Sequence, residues 1–175
     1  AVRIFENPLG WGISRRRIVI STCGLVPQIE QLALERPPLE LAVSLHATTN
    51  SLREQLMPIN KRYPLEELMS ACRYYSEVTG RRITFEYALI AGVNDFKKDA
   101  QRLAGLTGGM LSFINLIPLN PVKRGQLSGV SANKARLFAG WLQEAGLEVF
   151  IRESRGQDIA AACGQLRNIK SQEVF

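Results

Sequence analysis

The sequence predicts an α/β fold of parallel strands arranged as a partial, open barrel of the TIM type. Three observations carry that expectation. Short strand-like runs, β-branched or alternating in polarity, recur five times. Stretches with helical apolar spacing or capping residues separate them, and the connections are too long for hairpins, so parallel pairing through right-handed crossovers is the economical topology. Polar or turn-forming residues stand where each strand ends: Ser21-Thr22, Ser44 to His46, Glu86, Asn120 and Arg155. In a parallel sheet or barrel those ends gather on one rim, where ligands bind. Five βα units fall short of a closed eight-stranded barrel, so the expected barrel is open and lacks its first strands.

Taken in order, Ala1, Val2, Ile4 and Phe5 read as the last turn of an amphipathic helix, and a start at Ala1 rather than methionine suggests a fragment. Asn7-Pro8-Leu9-Gly10 breaks that helix. The first strand is Ile18-Val19-Ile20, ending at Ser21-Thr22-Cys23-Gly24, and a helix follows from about Pro27 to Leu34. From Leu39 to His46, bulky Leu41, Val43 and Leu45 alternate with small or polar Ala42, Ser44 and His46, which predicts a strand whose second face leaves room for a ligand. Asn50 to Met57 reads as a short helix, and Pro64 to Thr79 as a longer one with a stripe of Leu65, Leu68, Met69, Cys72 and Tyr75, closed by Gly80. Cys72 is therefore expected in the core. Ile83, Phe85, Tyr87 and Leu89 form the apolar half of the next strand, with Thr84, Glu86 and Ala88 opposite. Asn94 is the expected N-cap of a helix to about Leu106, ended by Gly108-Gly109. Met110 to Pro118 is the fourth strand and leads into Leu119-Asn120-Pro121. Ser131 caps a helix with Leu137, Phe138, Trp141, Leu142 and Ala145 on one side, and Leu147 to Ile151 is the fifth strand.

With 175 residues and 46% hydrophobic content, the chain fits one domain over residues 1–175. No apolar run approaches the roughly 20 residues a membrane span needs, and the start lacks the pattern of a signal peptide, so a soluble cytoplasmic protein is expected. Three cysteines at wide spacing argue against a disulfide framework and against a self-contained metal site. The net charge of +6 and pI near 9.5 favour a polyanionic partner. Arg15-Arg16-Arg17, Lys61-Arg62, Arg81-Arg82, Lys97-Lys98 and Lys123-Arg124 are the basic clusters, although each pair reads equally well as a solvated face.

Ala160-Ala161-Ala162-Cys163-Gly164-Gln165-Leu166 follows the last strand. A thiol among small residues, beside a glycine, is sterically open and suits a nucleophile; the same window also fits a small core residue on a helix that begins near Asp158. His46, the single histidine, likewise reads either as a ligand contact or as a satisfied structural residue.

Several runs occur together in a fixed order. They are Arg17-Ile18-Val19-Ile20-Ser21-Thr22 with Gly24 and Val26-Pro27, Leu41-Ala42-Val43-Ser44-Leu45-His46-Ala47, and Leu56-Met57-Pro58-Ile59-Asn60-Lys61. Further on come Phe85-Glu86-Tyr87, Gly92-Val93-Asn94-Asp95, Asn115-Leu116-Ile117-Pro118-Leu119-Asn120-Pro121, and Arg155-Gly156 with Asp158-Ile159 and Ala162-Cys163-Gly164-Gln165-Leu166. On these runs the chain from about Ile4 to Leu166 resembles the C-terminal part of the RlmN/Cfr family of radical S-adenosylmethionine RNA methyltransferases. The resemblance implies an open barrel that binds S-adenosylmethionine at its strand ends, with Ser21, Ser44, Leu45, His46 and Asn120 contacting the cofactor. It implies that Cys163 carries the methyl group first, as a thiolate nucleophile. It also implies an iron–sulfur cluster that reduces a second cofactor molecule, and a methyl-derived radical that adds to an adenine ring. A second cysteine would then deprotonate the adduct. The cluster motif C-x-x-x-C-x-x-C and that second cysteine belong upstream of these residues, so no metal ligands are assigned here and the chain by itself is expected to be inactive. Cys23 and Gln157 stand where the family more often has serine and aspartate.

The implied reaction is methylation of adenine C2 in 23S ribosomal RNA and in transfer RNA. Two alternatives are a C8-specific Cfr-type enzyme and a non-catalytic RNA-binding module. An unrelated barrel enzyme for a phosphorylated substrate would want a glycine-rich phosphate loop before a helix, and the sequence has none.

Overall fold

The computed structural model describes residues 2–120 and 127–152, and in it five strands form one sheet in which every neighbouring pair is parallel. The strands are β1 (Val19–Thr22), β2 (Glu40–Ser44), β3 (Ile83–Leu89), β4 (Ser112–Pro118) and β5 (Val149–Ile151). The helices are α1 (Val2–Glu6), α2 (Val26–Ala33), α3 (Asn50–Leu56), α4 (Leu65–Thr79), α5 (Lys97–Thr107) and α6 (Ala132–Glu144). Spatial order equals sequence order, β1-β2-β3-β4-β5. With right-handed crossovers, an order that always steps in one direction puts every helix on the same face of the sheet, whereas a doubly wound sheet reverses direction and covers both faces. The result is an arc of a barrel in which the crossover helices among the described residues lie on one face of the sheet.

Alternation in the strands decides what each face holds. Leu41, Val43 and Leu45, then Ile83, Phe85, Tyr87 and Leu89, then Ile114 and Leu116 are all buried on the helix side. They meet Ile29 and Ala33 of α2, Leu68, Cys72 and Tyr75 of α4, Leu103 of α5, and Phe138 and Leu142 of α6 in one core. Full burial of a side chain such as Phe85 stabilises by roughly 1.5–3 kcal/mol. Thr84, Glu86 and Ala88 of β3 and Phe113, Asn115 and Ile117 of β4 alternate with these on the other face and are half-buried. At one edge, Val19 of β1 is 55% exposed, consistent with an open barrel rather than a closed one.

α4 follows its sequence closely: Leu65, Leu68, Met69, Cys72 and Tyr75 are buried, and Gly80 ends the helix with φ 61°. The Tyr75 hydroxyl donates to the Leu39 carbonyl at 2.6 Å and ties α4 to the entry of β2. Burial raises the Tyr75 hydroxyl pKa to about 12 and likewise pushes the Cys72 thiol up to about 12, so Cys72 is an inert core residue.

Three expectations are corrected. The strand read as Leu39–His46 ends at Ser44, and His46 adopts a left-handed backbone with φ 58°, so it does not share a strand face with Ser44. Asn94 is not a helix cap: α5 begins at Lys97, and Asp99 Oδ2 accepts the Phe96 N–H at 3.3 Å in its place. The buried stripe of α6 is Ala135, Phe138, Ala139 and Leu142, leaving Leu137 and Ala145 exposed; the i, i+3, i+4, i+7 set faces the sheet. Pro58–Lys61, unassigned from the sequence, forms a 3-10 turn. Ser131 caps α6 as expected, accepting the Lys134 N–H at 3.3 Å. Arg155 and Cys163, with the rest of the cysteine segment, lie outside the described residues.

Candidate functional site

The parallel register lines up the strand ends. Ser44 is level with Glu86, Glu86 with Asn115, and Asn115 with Phe150. Ser21 pairs with Ala42 and so stands on the same open face, one rung earlier and exposed. The Ser44 hydroxyl donates to Glu86 Oε2 at 3.3 Å, and no ion pair among the described residues engages Glu86. The side chains flanking this rung are small, Ala42 before it and Ala88 after it. The rim therefore sets hydroxyls and a carboxylate beside small side chains.

Beyond Ser44 the chain turns sharply. The N–H groups of Leu45 and His46 both donate to the Glu86 carbonyl, at 3.0 and 3.3 Å. In a continuing parallel ladder the Ala88 N–H would next donate to the Leu45 carbonyl. His46 Nδ1 accepts it instead, at 3.0 Å. That substitution fixes the imidazole over β3 and, in the neutral ring, leaves the proton on Nε2. Burial, and secondarily the charge of Arg53, lower the His46 pKa to about 4, so the ring is neutral at pH 7. Leu45 directs its side chain into the core, 0% exposed, so it can meet a ligand only through its backbone.

The Leu45 carbonyl, released from the ladder, accepts from Arg53 Nε at 3.2 Å. Arg53 is 0% exposed. Its Nη2 donates to the carbonyls of Cys23 at 2.8 Å and Ser44 at 3.1 Å, and its Nη1 to Asn60 Oδ1 at 3.0 Å. Burial lowers the guanidinium pKa from a value so high that the group stays charged. Asn60 in turn donates to Asn50 Oδ1 at 3.0 Å, and the same oxygen accepts the Leu65 N–H at 2.8 Å. The segments carrying Ser21 and Ser44 are thus joined through one buried side chain to α3 and the start of α4.

Asn94, fully buried, organises the other side of the turn. Its Nδ2 donates to the carbonyls of His46 at 2.9 Å and Ala88 at 2.7 Å, and its Oδ1 accepts the Ile90 N–H at 2.7 Å. Three contacts to backbone explain why this residue is not at a helix cap. Asn120 lies half-buried two residues past β4, where the Leu119 N–H donates to the Leu89 carbonyl at 3.2 Å. The structure therefore brings Ser44, Leu45 and His46 to the end of β2, with Ser21 one strand to one side and Asn120 two strands to the other. Arg53 and Asn94 escaped the sequence reading: Arg53 looks like any basic residue in a short helix, and Asn94 like a cap. The one available signal was for Asn94, which sits inside the run Gly92-Val93-Asn94-Asp95; Arg53 lies outside every run, three residues before Leu56 to Lys61.

Among the described residues no group of three His, Cys, Asp or Glu side chains could hold a metal ion. Of the cysteines described, Cys23 is exposed and Cys72 buried. By contrast, hydroxyls, a neutral imidazole and a carboxylate that has no ion-pair partner among the described residues fit a ligand with hydroxyl donors and a positive charge, which are features of S-adenosylmethionine. A surface hollow of about 490 Å3, lined by Trp11, Ile13, Arg16 and Arg17 among others, lies before β1, at the opposite ends of the strands. No helix among the described residues is long and apolar enough to cross a membrane.

No protein-family model matches the chain. It is 68% identical over 174 residues to the "probable dual-specificity RNA methyltransferase RlmN" of Moorella thermoacetica, covering 99% of this chain and 49% of that one. The protein of the same description from Thermoanaerobacter sp. is 52% identical over 166 residues, with 95% and 48% covered. The crystal structure of a radical SAM methyltransferase from Sphaerobacter thermophilus superposes with a TM-score of 0.90 at 49% identity, over 94% of this chain and 48% of that one. A domain of pyruvate-formate lyase-activating enzyme from Bacteroides vulgatus, 18% identical with a TM-score of 0.62 over 77% of this chain and 80% of that one, shares the fold. The chain spans about half the length of the curated relatives it matches. Sequence and fold together establish that it belongs to the RlmN-type family of radical S-adenosylmethionine RNA methyltransferases.

Proposed function

We propose that this chain forms the S-adenosylmethionine-binding part of an enzyme that methylates C2 of an adenine in 23S ribosomal RNA and in transfer RNA. The observation that carries the reading is the rim itself: Ser21, Ser44 and His46, picked out by the family's motifs, stand at carboxyl ends of parallel strands around an open face. Ser21, Ser44 and Asn120 would hold the cofactor through hydrogen bonds, and Glu86 and the neutral His46 ring complete the polar wall. Leu45 would contribute backbone alone. Bound there, S-adenosylmethionine supplies an electrophilic methyl group, and with an iron–sulfur cluster held by residues elsewhere it supplies radical chemistry.

Cys163 is proposed as the residue that carries the methyl group. Its thiolate would displace the sulfonium sulfur at the methyl carbon, which would form a methyl thioether on Cys163 and release S-adenosylhomocysteine. The basic character of the chain, net charge +6, supports an RNA partner. Without cluster ligands among the described residues, the 175-residue chain alone is expected to be inactive.

The test uses the full-length enzyme carrying this sequence. Cys163→Ala is expected to abolish RNA methylation while leaving the unfolding midpoint near that of the parent, since exchanging a thiol for a methyl group changes side-chain volume little. Mass spectrometry of the parent enzyme is expected to find a methyl adduct on Cys163. Full activity in the variant, or methyl found on adenine C8 instead of C2, would overturn the corresponding part of the reading.

A further inference from the structure

We propose that Arg53 is a positioning residue for the cofactor rim, holding the segment after Ser21 and the turn of Ser44, Leu45 and His46 at the separation that a bound S-adenosylmethionine requires. The inference rests on the functional reading above, which places a cofactor at that rim. Arg53 acts on the rim through the backbone carbonyls of Cys23, Ser44 and Leu45 and touches no rim side chain proposed to meet the cofactor.

The case begins with cost. A buried cation is expensive unless it is fully hydrogen-bonded, and Arg53 has no carboxylate in ion-pair range among the described residues. Its four contacts are all to neutral oxygens. A methionine or leucine could fill comparable space between α3 and the sheet, and apolar replacement of buried charge is often neutral or stabilising. Packing alone therefore does not call for an arginine here. What the guanidinium adds is a planar, rigid fork that a flexible ammonium cannot reproduce, spanning the ends of two adjacent strands.

Two further features accommodate that fork. Gly24, with φ 104°, leaves open the space where a Cβ would stand 3.1 Å from Arg53 Nη2 and 3.2 Å from Leu68. The Leu45 carbonyl is available because His46 Nδ1 has taken its place in accepting from Ala88. The arginine contact and the left-handed turn at His46 are thus parts of one arrangement, centred on residues that line the rim.

The experiment measures the equilibrium affinity of the full-length enzyme for S-adenosylhomocysteine by calorimetry, in the parent, in Arg53→Lys and in Asn60→Ala. Lysine keeps the charge and loses the fork; Asn60→Ala removes one acceptor and spares the three carbonyl contacts at the rim. Expected is a loss of about tenfold or more in Arg53→Lys, with Asn60→Ala within about twofold of the parent. If the parent binds and Arg53→Lys binds equally well, or if both variants lose affinity to the same degree, Arg53 is merely structural and the proposal falls. If the parent itself does not bind, the functional reading fails and takes this inference with it. Should Arg53→Lys not fold, the Arg53 Nε–H resonance of the parent decides: a shift on saturation with S-adenosylhomocysteine supports the positioning role, and an unmoved resonance overturns it.

Discussion

His46 holds a left-handed backbone, φ 58°, that costs a non-glycine residue about 1–3 kcal/mol and persists where its surroundings over-determine it. Its amide donates to Glu86, its carbonyl accepts from Asn94, and its ring accepts from Ala88. This geometry has a consequence for stability against pH. Because the folded ring titrates near 4 and a free one near 6.5, the unfolded chain binds more protons between those values. The contribution is therefore complete above pH 6.5 and is lost as pH falls towards 4, by roughly 3 kcal/mol in all. Urea midpoints measured across that range should fall in the parent and fall less in His46→Gln; parallel profiles would show that the imidazole is not held neutral. Gly24 supports a second expectation. Alanine there meets Arg53 and Leu68 and must hold φ near 104°, so Gly24→Ala should destabilise by about 1–3 kcal/mol, read as a lower denaturant midpoint.

Between residue and molecule, the elements differ in how far their own sequence decides them. α4 is legible because a five-residue apolar stripe and a glycine stop agree, and every member of that stripe is buried. β3 is legible for the same reason, with strict alternation of buried and half-buried residues. The turn after β2 is not: the pattern of Leu39 to His46 continues as if the strand did, and the strand stops because Asn94, Ala88 and Glu86 capture the chain from elsewhere. The end of β4 shows a similar long-range contact. A Cβ on Gly129 would lie 2.0 Å from the Leu119 carbonyl oxygen, next to Asn120, in a place where backbone would have to move. Gly129→Ala is accordingly expected to cost about 3 kcal/mol and to weaken S-adenosylhomocysteine binding by the full-length enzyme. Calorimetry and thermal unfolding check both; an unchanged variant would mean that the Asn120 loop shifts freely.

At the scale of the sheet, the sequential strand order puts the crossover helices of the described residues on one face, and the polar residues at the strand ends collect on the other. Among the described residues no group of three His, Cys, Asp or Glu side chains could hold a metal ion, so anaerobic reconstitution of the 175-residue chain with iron and sulfide should yield no stoichiometric iron–sulfur cluster. Iron and sulfide analysis with a visible spectrum tests this, and a stoichiometric brown product would overturn the ligand assignment. The sequence by itself determined the α/β class, the number of strands, the helix that buries Cys72, and a family membership carried by short runs at constant spacing. These depend on local periodicity and on residue identity, which are written along the chain. Only the tertiary structure decided that Arg53 bridges Cys23, Ser44 and Leu45, that Asn94 braces a turn rather than capping a helix, and that His46 leaves its strand. Each of those depends on a hydrogen bond to a backbone group distant in sequence or on another element, and side-chain pattern carries no record of which buried carbonyl lacks a partner.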